Sequence, residues 1–142
     1  MPRLATDGDL PEIIRMGLAF VGAAGLSGDR DSIEETAKLL IQGGGLFIAG
    51  DPPCGMAGVL IYDKYFDRTR KAAQELFWWV DPNARKTGVG KRLLSEIESW
   101  ARENGADTLT MIALDALDGD AVSEMYKSAG YKPLERNYMK VL

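Results

Sequence analysis

Glu75 is the one carboxylate in the middle of an apolar run, the segment Ala-Ala-Gln-Glu-Leu-Phe-Trp-Trp-Val at 72–80. Buried carboxylates acquire raised pKa values, which suits them to accept a proton near neutrality. Carboxylates matter here because the 142 residues include no histidine. That absence removes Ser-His-Asp and Cys-His nucleophile pairs and HExxH zinc sites. Acid–base chemistry is left to carboxylates, tyrosines, lysines, water and the single cysteine. Cys54 lies in a turn beside two prolines and reads as structural. No metal is expected.

A second stretch, Ala-Arg-Lys-Thr-Gly-Val-Gly-Lys-Arg-Leu-Leu at 84–94, sets two glycines among four cations, Arg85, Lys86, Lys91 and Arg92. It falls between an apolar run and an amphipathic one, where a strand would hand over to a helix. The first N–H groups of that helix have no intrahelical partner and its dipole is positive, so an anion is favoured there. Gly88 and Gly90 leave no side chain between backbone and ligand. Spacing excludes two familiar phosphate loops. A Walker A motif needs glycine at 85 and Ser/Thr at 92, and both positions are arginine; a dinucleotide fingerprint needs glycine at 93, which is leucine.

The elements that must hold these residues follow from periodicity. Asp7 or Asp9 can cap a helix carrying Leu10, Ile13, Ile14, Gly17, Leu18 and Val21 on one face. A second helix is expected from about Ser32, ended by Gly-Gly-Gly at 43–45. Residues 46–50, 55–66 and 72–80 read as strands, with the polar segment 63–71 as a hairpin loop that can border a ligand site. Trp78 and Trp79 point to opposite faces, so at most one lines that site. From Gly88 a helix presents Val89, Leu93, Leu94, Ile97, Trp100 and Ala101 on one stripe. A strand near 107–114, a helix over 119–130 capped by Asp118 or Asp120, and a last strand at 137–142 complete an α/β domain with both sheet faces covered. Length fits a single domain over 1–142. Net charge is −4, from 21 acidic and 17 basic residues, which disfavours generic nucleic-acid binding. No apolar run is long enough to span a bilayer, and residues 1–20 lack the pattern of a signal peptide. A cytoplasmic protein is expected.

Arg-Lys-Thr-Gly-Val-Gly at 85–90 resembles the Arg/Gln-x-x-Gly-x-Gly/Ala signature of the GNAT acetyltransferase superfamily. Val-x-Pro at 80–82 and Met-Tyr-Lys-Ser-Ala-Gly-Tyr at 125–131 resemble further elements of it, and the element order matches over nearly the whole chain. Residues 75–82 and the ending 131–142 are similar to members found in phage genomes. The resemblance implies a GNAT fold: a mixed central sheet of six to seven strands flanked by four helices, with a splayed strand pair forming an acetyl-CoA cleft. Acetyl-CoA would be the co-substrate and an amine the acceptor, and a homodimer is common in the family. Backbone amides of Arg85, Lys86, Thr87, Gly88, Val89, Gly90 and Lys91 would hold the pyrophosphate. Backbone groups from Trp78 to Val80 would bind the pantetheine arm, and an N–H at or near Val80 the oxyanion. Tyr126, four residues before Gly130, occupies the family's general-acid position. The family's glutamate position falls on Gln74 instead of Glu75, and one residue reverses the face of a strand unless a β-bulge restores it. Water relaying the amine proton stands beside Glu75 as base. Two other readings share these residues: an acyl-CoA-binding or protein-interaction module without catalysis, and a phage enzyme acylating a nucleobase, which the acidic charge opposes.

Overall fold

The structure, a computed structural model, describes residues 1–142. It divides into two units, Met1–Ile112 and Ala113–Leu142. The first holds a five-stranded sheet in the order β1-β2-β3-β4-β5, formed by Arg3–Leu4, Leu46–Ala49, Gly55–Lys64, Asp67–Val80 and Ala106–Thr110. All neighbours run antiparallel except β4 and β5, which are parallel. Parallel neighbours need a crossover, and the helix α3 (Val89–Glu103) supplies it.

Helices α1 (Leu10–Ala24) and α2 (Arg30–Gly43) precede the main strands. Pro11 sits in the first turn of α1, where its missing N–H costs nothing. α2 starts at Arg30, close to the expected Ser32, and Asp29 caps it, accepting the Ser32 N–H at 2.9 Å. Gly44 stops α2 in the left-handed region at φ 72°, as the glycine run implied. Asp9 does not cap α1 with its side chain. Its carboxylate instead accepts the Thr6 N–H at 2.8 Å and pairs with Arg3 at 2.9 Å.

The two sheet faces are covered by different helices within this unit. A Cβ added at Gly55 would meet Leu93 and Val89 of α3 at 3.0 Å. On the next residue's face, Trp79, the partner of Met56, meets Phe20 of α1 edge-on at 6.2 Å. Trp78 and Trp79 thus face opposite ways, as alternation required. Leu93 and Ile97 are fully buried, each contributing about 2 kcal/mol of hydrophobic stabilisation.

Two strand expectations need correction. Most of the polar segment 63–71 is strand, because β3 and β4 continue through it to a tight turn at Tyr65–Phe66. Backbone pairing, with the Lys71–Asp63 ion pair at 2.9 Å, outweighs the polar composition. The final segment 137–142 is not a strand: residues 131–142 carry no regular structure. Its apolar residues alternate only weakly, and a strand exists only where a neighbouring edge completes its ladder. The sheet therefore has five strands, not six or seven.

The second unit holds α4 (Gly119–Ser128), after a short turn at Asp115–Leu117. Asp118 stands at the start of α4 but makes no side-chain cap, since its own backbone is left-handed at φ 56°. Its carbonyl accepts the Val122 N–H instead. No helix is long and apolar enough to cross a membrane.

Candidate active site

β4 and β5 pair only from Lys71–Gln74 on one strand and Ala106–Thr110 on the other. β4 then runs six residues further, Glu75 to Val80, with no strand beside it on that edge. This is an opened seam. Asp81 donates its N–H to Cys54 on the β3 side at 2.8 Å. Strand alternation therefore turns the N–H groups of Val80 and Trp78 the other way, toward the seam.

A β-bulge lies at the root of the seam. Gly58 pairs with Phe77 and Val59 with Glu75, so Leu76 is the extra residue. In a regular strand Gln74 would share a face with Trp78 and Val80; the bulge transfers that place to Glu75. Glu75 is 5% exposed and is the one charged residue in the buried core. Its Oε2 accepts the Ile112 N–H at 2.7 Å, across the point where β5 has ended. Burial pushes its carboxyl up to about 7, with the Ile112 hydrogen bond opposing the rise. Gln74 is half-buried and its amide donates to the Glu75 carbonyl at 3.1 Å.

The loop after β4 has the geometry of an anion cradle. None of the backbone N–H groups from Lys86 to Lys91 has an acceptor within the protein. Lys86 and Gly88 take left-handed backbone angles, φ 65° and 90°, which fold these donors around the start of α3. The Thr87 hydroxyl ties the loop to the Ala84 carbonyl. Lys86, Lys91 and Arg92 are exposed, and none is in an ion pair. Such a surface has six donors, three unpaired cations and no counter-charge.

Arg85 does more than carry charge. Its Nε donates to the Val80 carbonyl at 3.0 Å, and its guanidinium lies 4.9 Å from the centre of the Trp79 ring. It braces the loop against the end of β4. A chain of polar contacts that the sequence did not reveal continues this bracing. Trp79 Nε1 donates to Asp81 at 2.9 Å, and Arg15 of α1 reaches the same carboxylate at 2.8 Å and the Pro53 carbonyl at 3.2 Å. Partial burial works against ionisation of Asp81, but Arg15 and Trp79 hold its pKa below the ordinary value. The residues are far apart in sequence, so only the fold brings them together. Gly90 also has a second role: a Cβ there would lie 3.2 Å from the Trp78 ring, so glycine lets α3 settle on β4.

Tyr126 belongs to the second unit, on α4. It is buried, and its ring lies 5.5 Å from that of Tyr131, whose N–H donates to the Tyr126 carbonyl at 2.9 Å. Cys54 is a free thiol in the turn before β3, its N–H bonded to the Ala49 carbonyl. No cluster of side chains suited to a metal ion is present.

A mixed sheet with one opened parallel seam, and a helix that starts between Gly88 and Gly90, together frame the site. The model of the acetyltransferase (GNAT) family matches residues 20–131, and the chain belongs to that family. Solved structures agree on the fold. An acetyltransferase of Trypanosoma brucei is 18% identical with a TM-score of 0.76, over 100% of this chain and 99% of its own. A predicted acetyltransferase of Clostridium acetobutylicum, solved with acetyl-CoA, is 15% identical with a TM-score of 0.78, over 100% and 95%. An aminoglycoside 6'-N-acetyltransferase of Acinetobacter haemolyticus is 17% identical with a TM-score of 0.75, over 100% and 97%. No curated protein matches significantly.

Proposed function

We propose that this chain is an N-acetyltransferase that moves the acetyl group of acetyl-CoA directly to a primary amine. The observation that carries the reading is one juxtaposition. Six unpartnered N–H groups at the start of α3 adjoin an opened β4–β5 seam, and a buried carboxyl stands at the root of that seam. The loop from Arg85 to Lys91 takes the diphosphate, at the positive end of the helix dipole and beside Lys86 and Lys91. The pantetheine arm then lies along the seam as a substitute strand, bonded by the outward backbone groups of Trp78 and Val80.

The chemistry follows from that placement. The neutral amine nitrogen attacks the thioester carbon, and the carbonyl oxygen gains charge that the Val80 N–H can stabilise. Glu75, with a pKa near 7, takes the proton the nitrogen sheds. Collapse of the tetrahedral intermediate breaks the C–S bond and the departing thiolate takes up a proton, a role that the family resemblance gives to Tyr126. The products are an amide and free CoA. The likeness to a structure holding acetyl-CoA supports the co-substrate, and the Met-Tyr-Lys-Ser-Ala-Gly-Tyr pattern supports Tyr126.

Tyr126→Phe keeps the ring and removes the hydroxyl. It is expected to lower kcat by roughly 10²–10⁴-fold with acetyl-CoA affinity nearly intact, read by steady-state kinetics and calorimetry. Wild-type turnover with chemistry still rate-limiting would return Tyr126 to a packing role. Release of free CoA against an amine panel tests the whole reading. Acetyl-CoA binding without turnover on any amine would make the chain an acyl-CoA-binding module instead.

A further inference from the structure

Arg15 of α1 commits all three of its guanidinium nitrogens to partners within the protein. Its Nε pairs with Glu12, Nη1 reaches Asp81 Oδ1 at 3.3 Å, and Nη2 donates to Asp81 Oδ2 at 2.8 Å and to the Pro53 carbonyl at 3.2 Å. The guanidinium is a clamp inside the fold. The residue it clamps is the joint between β4 and the glycine loop, since Asp81 directly follows the last residue of β4. Each polar group of Asp81 holds a different piece of the site. Its N–H donates to the Cys54 carbonyl at 2.8 Å, which fixes the strand end against the turn before β3. Its carbonyl accepts the Ala84 N–H at 2.9 Å, and the Ala84 carbonyl in turn accepts the Thr87 hydroxyl, one residue before Gly88. Its carboxylate accepts Trp79 Nε1 at 2.9 Å, while Arg85 lies over the Trp79 ring and donates to the Val80 carbonyl. Two routes of direct contact therefore run from Arg15 through Asp81 to the loop. One follows the backbone to Thr87, and the other crosses the Trp79 ring to Arg85.

The geometry points to Arg15 as a positioning residue for acetyl-CoA. It holds Asp81, and through Asp81 the strand end and the loop whose backbone N–H groups face the diphosphate, in the binding arrangement before the ligand arrives. This assignment rests on the transferase reading above and adds to it a residue outside the loop on which cofactor affinity depends. Preorganisation of this kind raises affinity, because less ordering is left for the binding step. The Arg15 side chain is 47% exposed, and ion pairs at such exposure contribute little to global stability. Losing the pair should therefore register in the ligand and not in the fold.

Acetyl-CoA affinity is measured by calorimetry for wild type, Arg15→Ala, Arg15→Lys, Asp81→Asn and the double variant Arg15→Ala/Asp81→Asn, at a temperature where thermal melts show every protein folded. Arg15→Ala is expected to bind roughly tenfold more weakly than wild type. Arg15→Lys should recover part of that loss, because an ammonium can pair with one carboxylate oxygen but cannot fork between Asp81 and Pro53. The double variant should bind no more weakly than the weaker single variant, since Arg15 acts through Asp81. The indole N–H of Trp79 supplies a readout that a change in global stability does not move. Its NMR signal, assigned by its disappearance in Trp79→Phe, should shift in Arg15→Ala. In wild type that N–H should exchange with solvent more slowly once acetyl-CoA is bound, because coupling between two sites is reciprocal. Wild-type affinity in folded Arg15→Ala, fully additive losses in the double variant, or an unmoved Trp79 signal would overturn the assignment. Failure of the transferase reading would show differently, as absence of acetyl-CoA binding by the wild-type protein, and would take this assignment with it.

Discussion

A valine at Gly88 is expected to abolish measurable acetyl-CoA binding in a protein that still folds. Gly88 stands at the start of α3 with φ 90°, a backbone region that a β-branched residue adopts only under strain. The strain is relieved by turning the peptide planes on either side, and those planes carry the N–H groups that face the ligand. Losing two charge-assisted hydrogen bonds costs on the order of 3 kcal/mol or more, at least about 100-fold in affinity. Gly90→Val is a less clean probe, since its side chain would also strike Trp78. Calorimetry paired with a thermal melt checks the effect. Unchanged affinity in folded Gly88→Val protein would remove the loop from the cofactor site.

The second large effect concerns Glu75. As a base it works only when ionised, so kcat/KM should fall tenfold per pH unit below about 7. Glu75→Gln should slow acetylation by about 10²–10⁴-fold and remove that acidic limb, whereas Gln74→Ala should leave the limb in place. Stability supplies an independent readout. The carboxyl binds its proton more tightly in the folded chain, raised from 4.5 to about 7 by burial. Its ionisation therefore costs nothing below pH 4.5, grows more costly through the interval, and opposes folding fully above pH 7. The penalty is about 3 kcal/mol, and Glu75→Gln should abolish it, so the variant gains on wild type as pH rises from 5 to 8. A pH profile unchanged by the substitution would leave the proton to water.

The glycine loop at 85–91 and the helices were legible because their signals are local. Glycines at 88 and 90, the cations beside them and the apolar stripe of α3 each act within a few residues. The glycine stop of α2 was equally local. The place of Glu75 was not, because its face depends on whether Leu76 is an extra residue, and a bulge is decided by how two strands pair. The Arg15–Asp81–Trp79 linkage was hidden for the same reason, since it joins residues far apart in sequence. Composition misled at 63–71, where a polar segment is held in strands by pairing. It misled again at 137–142, where apolar residues suggested a strand that has no partner ladder.

Incubation with acetyl-CoA isotopically labelled in the acetyl group, followed by mass spectrometry across a panel of primary amines, tests the transferase reading most directly. The expected result is a labelled N-acetyl product on at least one amine and free CoA in equal amounts, formed by wild type and strongly reduced with Glu75→Gln. Release of CoA with the label recovered only as acetate, or no release from protein that binds acetyl-CoA, would contradict it.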